Sequence, residues 1–134
     1  MKPTSILDAS ALLAYLQGES GAAVVANALA QGSFISAVNW AEALSKLAER
    51  GQDPDTVTDL LTNQGLLNNV LFITPYDAAL AIETAKLRRL TKPFGLSLGD
   101  RACLALGIQS QLPVLTSDQA WTNLSLGITV QLIR

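Results

Sequence analysis

Short apolar runs alternate with helix-forming stretches along the whole chain, and each run stops at a polar or acidic residue. This alternation is the feature that most restricts the fold. Thr4 to Leu7, Ser33 to Val38, Val70 to Ile73, Pro113 to Thr116 and Thr129 to Ile133 read as strands. Between them lie segments rich in Ala and Leu, residues that favour helix. Strands that alternate with helices predict a mostly parallel sheet covered on both faces. Runs such as Phe-Ile-Ser-Ala-Val and Val-Leu-Phe-Ile are apolar throughout, which suits strands buried on both sides.

The helices have readable limits. The spacing predicts a first helix over 9–16, with Leu12, Leu13 and Leu16 on one face, and a small-residue helix over 22–30. Asn39-Trp40-Ala41-Glu42 has the form of a capping box and opens a helix that runs to about Arg50. Asp53-Pro54 starts the next, with Pro at its favoured first position. A long helix is expected from Pro75 or Tyr76 to about Leu90, followed by a connection at Lys92 to Gly95. Ser97 caps a helix that reaches about Gln109, and a short helix follows from Asp118 to Leu124. The 134 residues carry no internal repeat, linker or low-complexity tract, so residues 1–134 are expected to form one domain.

Four acids stand at comparable places in this pattern. Asp8 ends the first apolar run, Glu42 follows the second, Asp100 lies in the first turn of the Ser97 helix, and Asp118 follows the fourth run. In open α/β sheets, functional groups gather outside the carboxyl ends of the strands, near the switch in strand order. The expectation is one shared acidic pocket. Each acid taken singly also suits a plain helix N-terminus, where carboxylates cap and meet the helix dipole. An N-terminal carboxylate can cap and ligate at once.

Composition narrows the chemistry. The chain has no His and one Cys, which excludes an internal disulfide and removes most His-dependent catalysis. A Cys/His zinc site is disfavoured for the same reason. Any catalysis must rest on carboxylates, Lys, Tyr, hydroxyls or a metal. Clustered carboxylates repel each other and call for a cation. Magnesium takes one or two carboxylates, keeps waters and binds phosphate oxygens. A net charge of −2 lacks the basic excess usual in nucleic-acid-binding proteins, so local cations would have to compensate. Lys86, Arg88, Arg89 and Lys92 form the densest basic cluster, suited either to RNA phosphates or to a solvated helix C-terminus. Arg101 suits a phosphate contact or a structural ion pair. Trp40, Trp121 and Cys103 read as packing residues. No apolar run approaches the ~18 residues of a membrane span, and the N-terminus makes a poor signal peptide, so a cytoplasmic protein is expected.

The segments Ile6-Leu7-Asp8-Ala9-Ser10-Ala11-Leu12, Asn39-Trp40-Ala41-Glu42, Leu96-Ser97-Leu98-Gly99-Asp100-Arg101 and Leu115-Thr116-Ser117-Asp118 resemble the four signature segments of PIN-domain nucleases. They occur in that family's order and spacing, and the likeness is greatest to VapC-type toxins of bacterial toxin–antitoxin pairs. The resemblance implies a three-layer α/β/α sandwich and an endoribonuclease dependent on Mg2+ or Mn2+. It implies that Asp8, Glu42, Asp100 and Asp118 form the metal site, with Ser10, Thr116 and Ser117 as polar support. It implies an RNA substrate, a cognate antitoxin and a homodimer. A housekeeping PIN nuclease without antitoxin and a catalytically silent PIN-like interaction module are the alternatives. A response-regulator phosphoacceptor would carry paired acids after strand one, where this chain has Leu7-Asp8. An Asp-x-Asp phosphatase is disfavoured because Ser10 holds the second Asp position.

Overall fold

The computed structural model describes residues 2–134. Five strands form one parallel sheet: β1 (Ser5–Leu7), β2 (Ser33–Ser36), β3 (Leu71–Thr74), β4 (Val114–Thr116) and β5 (Val130–Leu132). Their order is β3-β2-β1-β4-β5, every neighbouring pair parallel. The chain builds outward from β1 through β2 to β3, then returns to the other side of β1 for β4 and β5. The switch in strand order therefore falls between β1 and β4.

Alternation along each strand sorts side chains between two cores. Leu7, Ile35 and Leu115 face one side, where α1 (Ala9–Gln17), α2 (Ala22–Ala30), α3 (Ala37–Glu49) and α4 (Pro54–Asn63) supply Leu12, Val25, Leu47 and Leu61. Ile6 and Val114 face the other side and meet α5 (Ala78–Lys86) and α7 (Leu98–Ser110) through Leu80, Cys103, Leu104 and Leu106. This is the expected α/β/α sandwich. Trp121 and Cys103 are fully buried in the second core, as packing residues, and Trp40 packs partly buried against the first. No helix among the described residues is long and apolar enough to cross a membrane.

Three local expectations are corrected. Strand two ends at Ser36, whose hydroxyl accepts a hydrogen bond from the Val38 amide and caps α3, so Asn39 lies inside the helix and not at its cap. Ser36 and Asn39 are both good capping residues one turn apart. Pairing of Ser36 with Thr74 across the sheet carries the strand to Ser36 and no further. The long helix predicted up to Leu90 starts instead at Ala78, where Asp77 accepts the Leu80 amide, and it breaks at Leu87. A four-residue α6 (Arg88–Thr91) and a 3-10 turn over Lys92–Phe94 follow, where a plain connection was expected. Thr84 and Thr91 donate their hydroxyls back to the Leu80 and Leu87 carbonyls, a pattern that bends helices, and Pro93 cannot continue one. The helix expected at 118–124 is a 3-10 turn over Gln119–Asn123, capped by Asp118.

Trp121 seals the second core beneath β5. Trp121→Ala is expected to cost about 3–5 kcal/mol of unfolding free energy, because the cavity left cannot fully collapse. Denaturant unfolding followed by far-UV circular dichroism measures this. A cost below about 1 kcal/mol would mean that the side chain contributes little to the core.

Candidate active site

Asp8 leaves the carboxyl end of β1 and caps α1 with its own side chain. Its Oδ1 accepts from the Ser10 hydroxyl at 2.7 Å and the Ala11 amide at 2.8 Å, and its Oδ2 from the Thr116 hydroxyl at 2.6 Å. Thr116 ends β4, so this last bond crosses the switch point. The Ser10 hydroxyl in turn accepts the Ser117 amide, and the Thr116 hydroxyl accepts the Asp118 amide. Only 6% of Asp8 is exposed. Burial pushes its carboxyl up from 3.8 to about 6, against the hydrogen bonds from Thr116, Ser10 and Ala11, and the charge of Asp100 pushes the same way as burial.

Glu42 lies one turn after Asn39 on α3. The Asn39 amide group donates to Glu42 Oε1 at 2.8 Å and to the Gly99 carbonyl at 3.0 Å, which ties α3 to the start of α7. Both amide hydrogens go to acceptors, while Asn39 Oδ1 is buried without a donor among the described residues. Gly99 lets Glu42 come close at this crossing: a Cβ there would lie 2.7 Å from Glu42 Oε2 and force the carboxylate to move. Asp100, next in sequence, completes a capping box with Ser97, its Oδ2 accepting the Ser97 amide at 2.9 Å. Asp118 Oδ1 accepts the Ala120 amide at 2.9 Å.

Asp8, Ser10, Glu42, Asp100, Ser117 and Asp118 line a single cavity of about 340 Å³ at the carboxyl edge of the sheet. Thr116 is fully buried behind it, bonded to Asp8. Below them the Cys103 thiol is pushed well above its usual range, first by burial and then by the charges of Asp8, Asp100 and Glu42. One buried atom thus senses three of the four acids.

The other predicted basic residues fall elsewhere. Lys86, Arg88, Arg89 and Lys92 are exposed on α5, α6 and the turn after it, and none lines the cavity. Lys86 pairs with Glu83 at 3.2 Å. Arg101 forms no ion pair among the described residues; it donates to the Thr84 carbonyl at 3.0 Å and fastens α7 to α5. The cations that do line the cavity are Lys46, Arg50 and Arg134. Sequence reasoning passed over them and over Asn39. Lys46 and Arg50 stand four and eight residues after Glu42, a helical repeat that is visible in the sequence.

The donor set fits a hard divalent cation. It offers oxygen and no nitrogen or sulfur, the preference of magnesium and manganese. Among the described residues, one oxygen each of Glu42, Asp100 and Asp118 accepts no protein hydrogen bond. As placed, no three Asp, Glu or Cys side chains among the described residues lie close enough together to hold one metal ion between them. Magnesium commonly binds through one or two carboxylates and completes its shell with water.

The chain belongs to the PIN domain family, whose sequence pattern matches residues 5–125. Its structural neighbours are VapC-type proteins of toxin–antitoxin systems. One is DNA-bound VapBC from Salmonella typhimurium, 17% identical, with a TM-score of 0.73 over 99% of this chain and 100% of that one. Another is FitAcB from Neisseria gonorrhoeae, 20% identical, with a TM-score of 0.70 over 96% of each chain. VapC20 from Mycobacterium tuberculosis, a sarcin-ricin loop cleaving toxin, is 12% identical, with a TM-score of 0.68 over 94% of this chain and 99% of that one. At these identities the likeness establishes the fold. No curated protein sequence matches the chain.

The buried carboxyl of Asp8 gives a stability signature. Between about pH 4 and pH 6 the native state holds a proton that the unfolded chain has released. Raising the pH through this window therefore destabilises the metal-free protein, by about 3 kcal/mol for this group. With chelator present, Asp8→Asn is expected to melt higher than wild type at pH 7 and to lose this part of the pH dependence. Parallel melting curves for the two proteins from pH 4.5 to 7 would rule the effect out.

Proposed function

We propose that this protein is a divalent-metal-dependent endoribonuclease and the toxin of a toxin–antitoxin pair. The observation that carries the reading is the meeting of four carboxylates, from four separate segments, in one cavity at the switch point of the sheet. Asp8, Glu42, Asp100 and Asp118 are the residues that would hold Mg2+ or Mn2+. When bound, such an ion activates a water and stabilises the leaving oxygen of a phosphodiester. The chain has no His to serve as general base or acid, which agrees with chemistry built on metal and carboxylates.

The chain's own residues prepare this site. Ser10 and Thr116 hold the Asp8 carboxylate from opposite sides, so its two oxygens keep fixed directions. Asn39 does the same for Glu42 and ties it to α7. Ser117 and Asp118 are fixed by amide bonds to the same hydroxyls, which ties the segment after β4 to the segment after β1. The expected substrate is single-stranded or loop RNA, in line with the VapC20 neighbour, a sarcin-ricin loop cleaving toxin.

Neighbours solved as toxin–antitoxin complexes support a cognate antitoxin as partner. Exposed apolar side chains on α5, α6 and the start of α7 support a second copy of the chain as another. Ile82, Leu90 and Leu98 are 57%, 60% and 58% exposed. A cytoplasmic location follows from this role.

Asp100→Asn separates capping from metal binding. Asn caps about as well as Asp, so a purely structural Asp100 predicts little change. A metal role predicts that added magnesium raises the wild-type melting temperature by mass action and the variant's much less. It also predicts chelator-sensitive RNA cleavage by wild type, reduced roughly a hundredfold or more in the variant, as for loss of a residue that stabilises transition-state charge. A variant that responds to magnesium and cuts RNA like wild type would overturn the metal-nuclease reading.

A further inference from the structure

We propose that Lys46, on α3, and Arg50, which caps the C-terminus of α3, form a cationic rail that binds the phosphates of the RNA strand beside the bond to be cut. The proposal rests on the ribonuclease reading above and adds where the substrate runs. Both residues line the same cavity as the four acids. They follow Glu42 at four and eight residues, so Lys46 shares the Glu42 face of α3 and Arg50 continues that line at the helix C-cap. Along the axis they lie ~6 and ~12 Å from Glu42, at 1.5 Å per residue. The facing wall is α1, whose Ser10, Leu13 and Gln17 line the cavity at the same helical period. The result is a groove between two helices, acidic where both leave the sheet, with Lys46, Arg50 and Arg134 further along beside the single acid Glu19.

Charge makes the rail necessary. The chain is net negative and its cavity gathers four acids, so a polyanion is repelled until something local compensates. A bound divalent ion offsets only part of this. Of nine Lys and Arg residues, three line this cavity, while the four between 86 and 92 do not. Lys46 and Arg50 are exposed and have no acidic partner within ion-pair distance among the described residues, although Glu19 and Glu42 line the same cavity. Their charge is therefore available to a ligand. The third cation, Arg134, has a guanidinium NH donating to the Ser20 carbonyl at 2.9 Å, which anchors it at the rim near the α1–α2 turn. A helix C-terminus alone would also favour Lys46 and Arg50, through the macrodipole. That role would fit any exposed helix end and needs no cavity.

The test is salt-dependent binding of a fluorescein-labelled single-stranded RNA ten-mer, with magnesium present, in an Asp100→Asn background that does not consume the RNA. Lys46→Gln/Arg50→Gln is expected to weaken binding about tenfold at moderate salt and to cut the slope of log K against log[salt] by about 1.4, or ~0.7 for each phosphate no longer neutralised. Lys46→Arg/Arg50→Lys, which keeps both charges, should restore the slope. Replacing Lys86, Arg88, Arg89 and Lys92 together by Gln should leave it unchanged. Both positions are exposed, so neither pair should disturb folding, and matching melting temperatures check this. An unchanged slope in the Lys46→Gln/Arg50→Gln protein overturns the rail while leaving the nuclease reading intact, and frees the two cations for an acidic protein partner. Loss of the slope in the 86–92 variant would move the RNA path to α5 and α6 and overturn the rail as well. A wild type that neither binds nor cuts RNA with magnesium would fail the ribonuclease reading itself, and the rail with it.

Discussion

The hydrogen bond from Thr116 to Asp8 is the contact on which the rest of the site depends. It joins the ends of β1 and β4, the two strands between which the sheet reverses its order of growth. Through Ser10 and Thr116 it also sets the backbone of Ser117 and Asp118. A carboxylate buried this deeply costs stability when ionised, and three hydrogen bonds only partly offset the cost. The protein therefore holds a charge in the wrong medium at the mouth of its switch point. A group in that state binds a cation more readily than a solvated Asp would, because the cation relieves a penalty already present.

The second constraint is steric. α3 and α7 cross where Glu42 meets Gly99, and no side chain fits at residue 99 without displacing the carboxylate. Asn39 completes the crossing with two donated hydrogen bonds, one to each helix. Asp8 is thus fixed by the sheet and Glu42 by a helix pair. Asp100 is fixed by the capping box at the start of the same α7. Three mechanically distinct supports thus hold three acids at one cavity.

The helix that carries Glu42 also carries Lys46 and is capped by Arg50, so the groove that is acidic at the sheet gains cations further along, where Glu19 is the one acid in its lining. A phosphodiester chain meets both requirements: negative along its length, with oxygens to share a metal at one bond. On the proposed reading, the arrangement would let a chain of net negative charge act on a polyanion. Total charge describes the whole surface, whereas affinity is set by the few groups within a Debye length of the ligand.

Sequence alone determined the layer order, the parallel sheet and the four acids, because each rests on local pattern: apolar runs of strand length, helical spacing between them, and a carboxylate at each junction. The Ser97–Asp100 capping box was legible for the same reason, since both partners lie in one turn. What failed was local competition. Ser36 and Asn39 were equal candidates to cap α3, and only the pairing of Ser36 with Thr74 chose between them. The helix break at Leu87 likewise needed the bending set by Thr84 and Thr91. Density of charge in sequence pointed to residues 86–92, yet tertiary structure placed Lys46, Arg50 and Arg134 at the cavity. Arg134 and Ser20 are 114 positions apart, and Thr116 and Asp8 are 108 apart. No periodicity encodes such contacts, because they arise only when separate strands and helices pack, and so the sequence named the acids while the fold decided their environment.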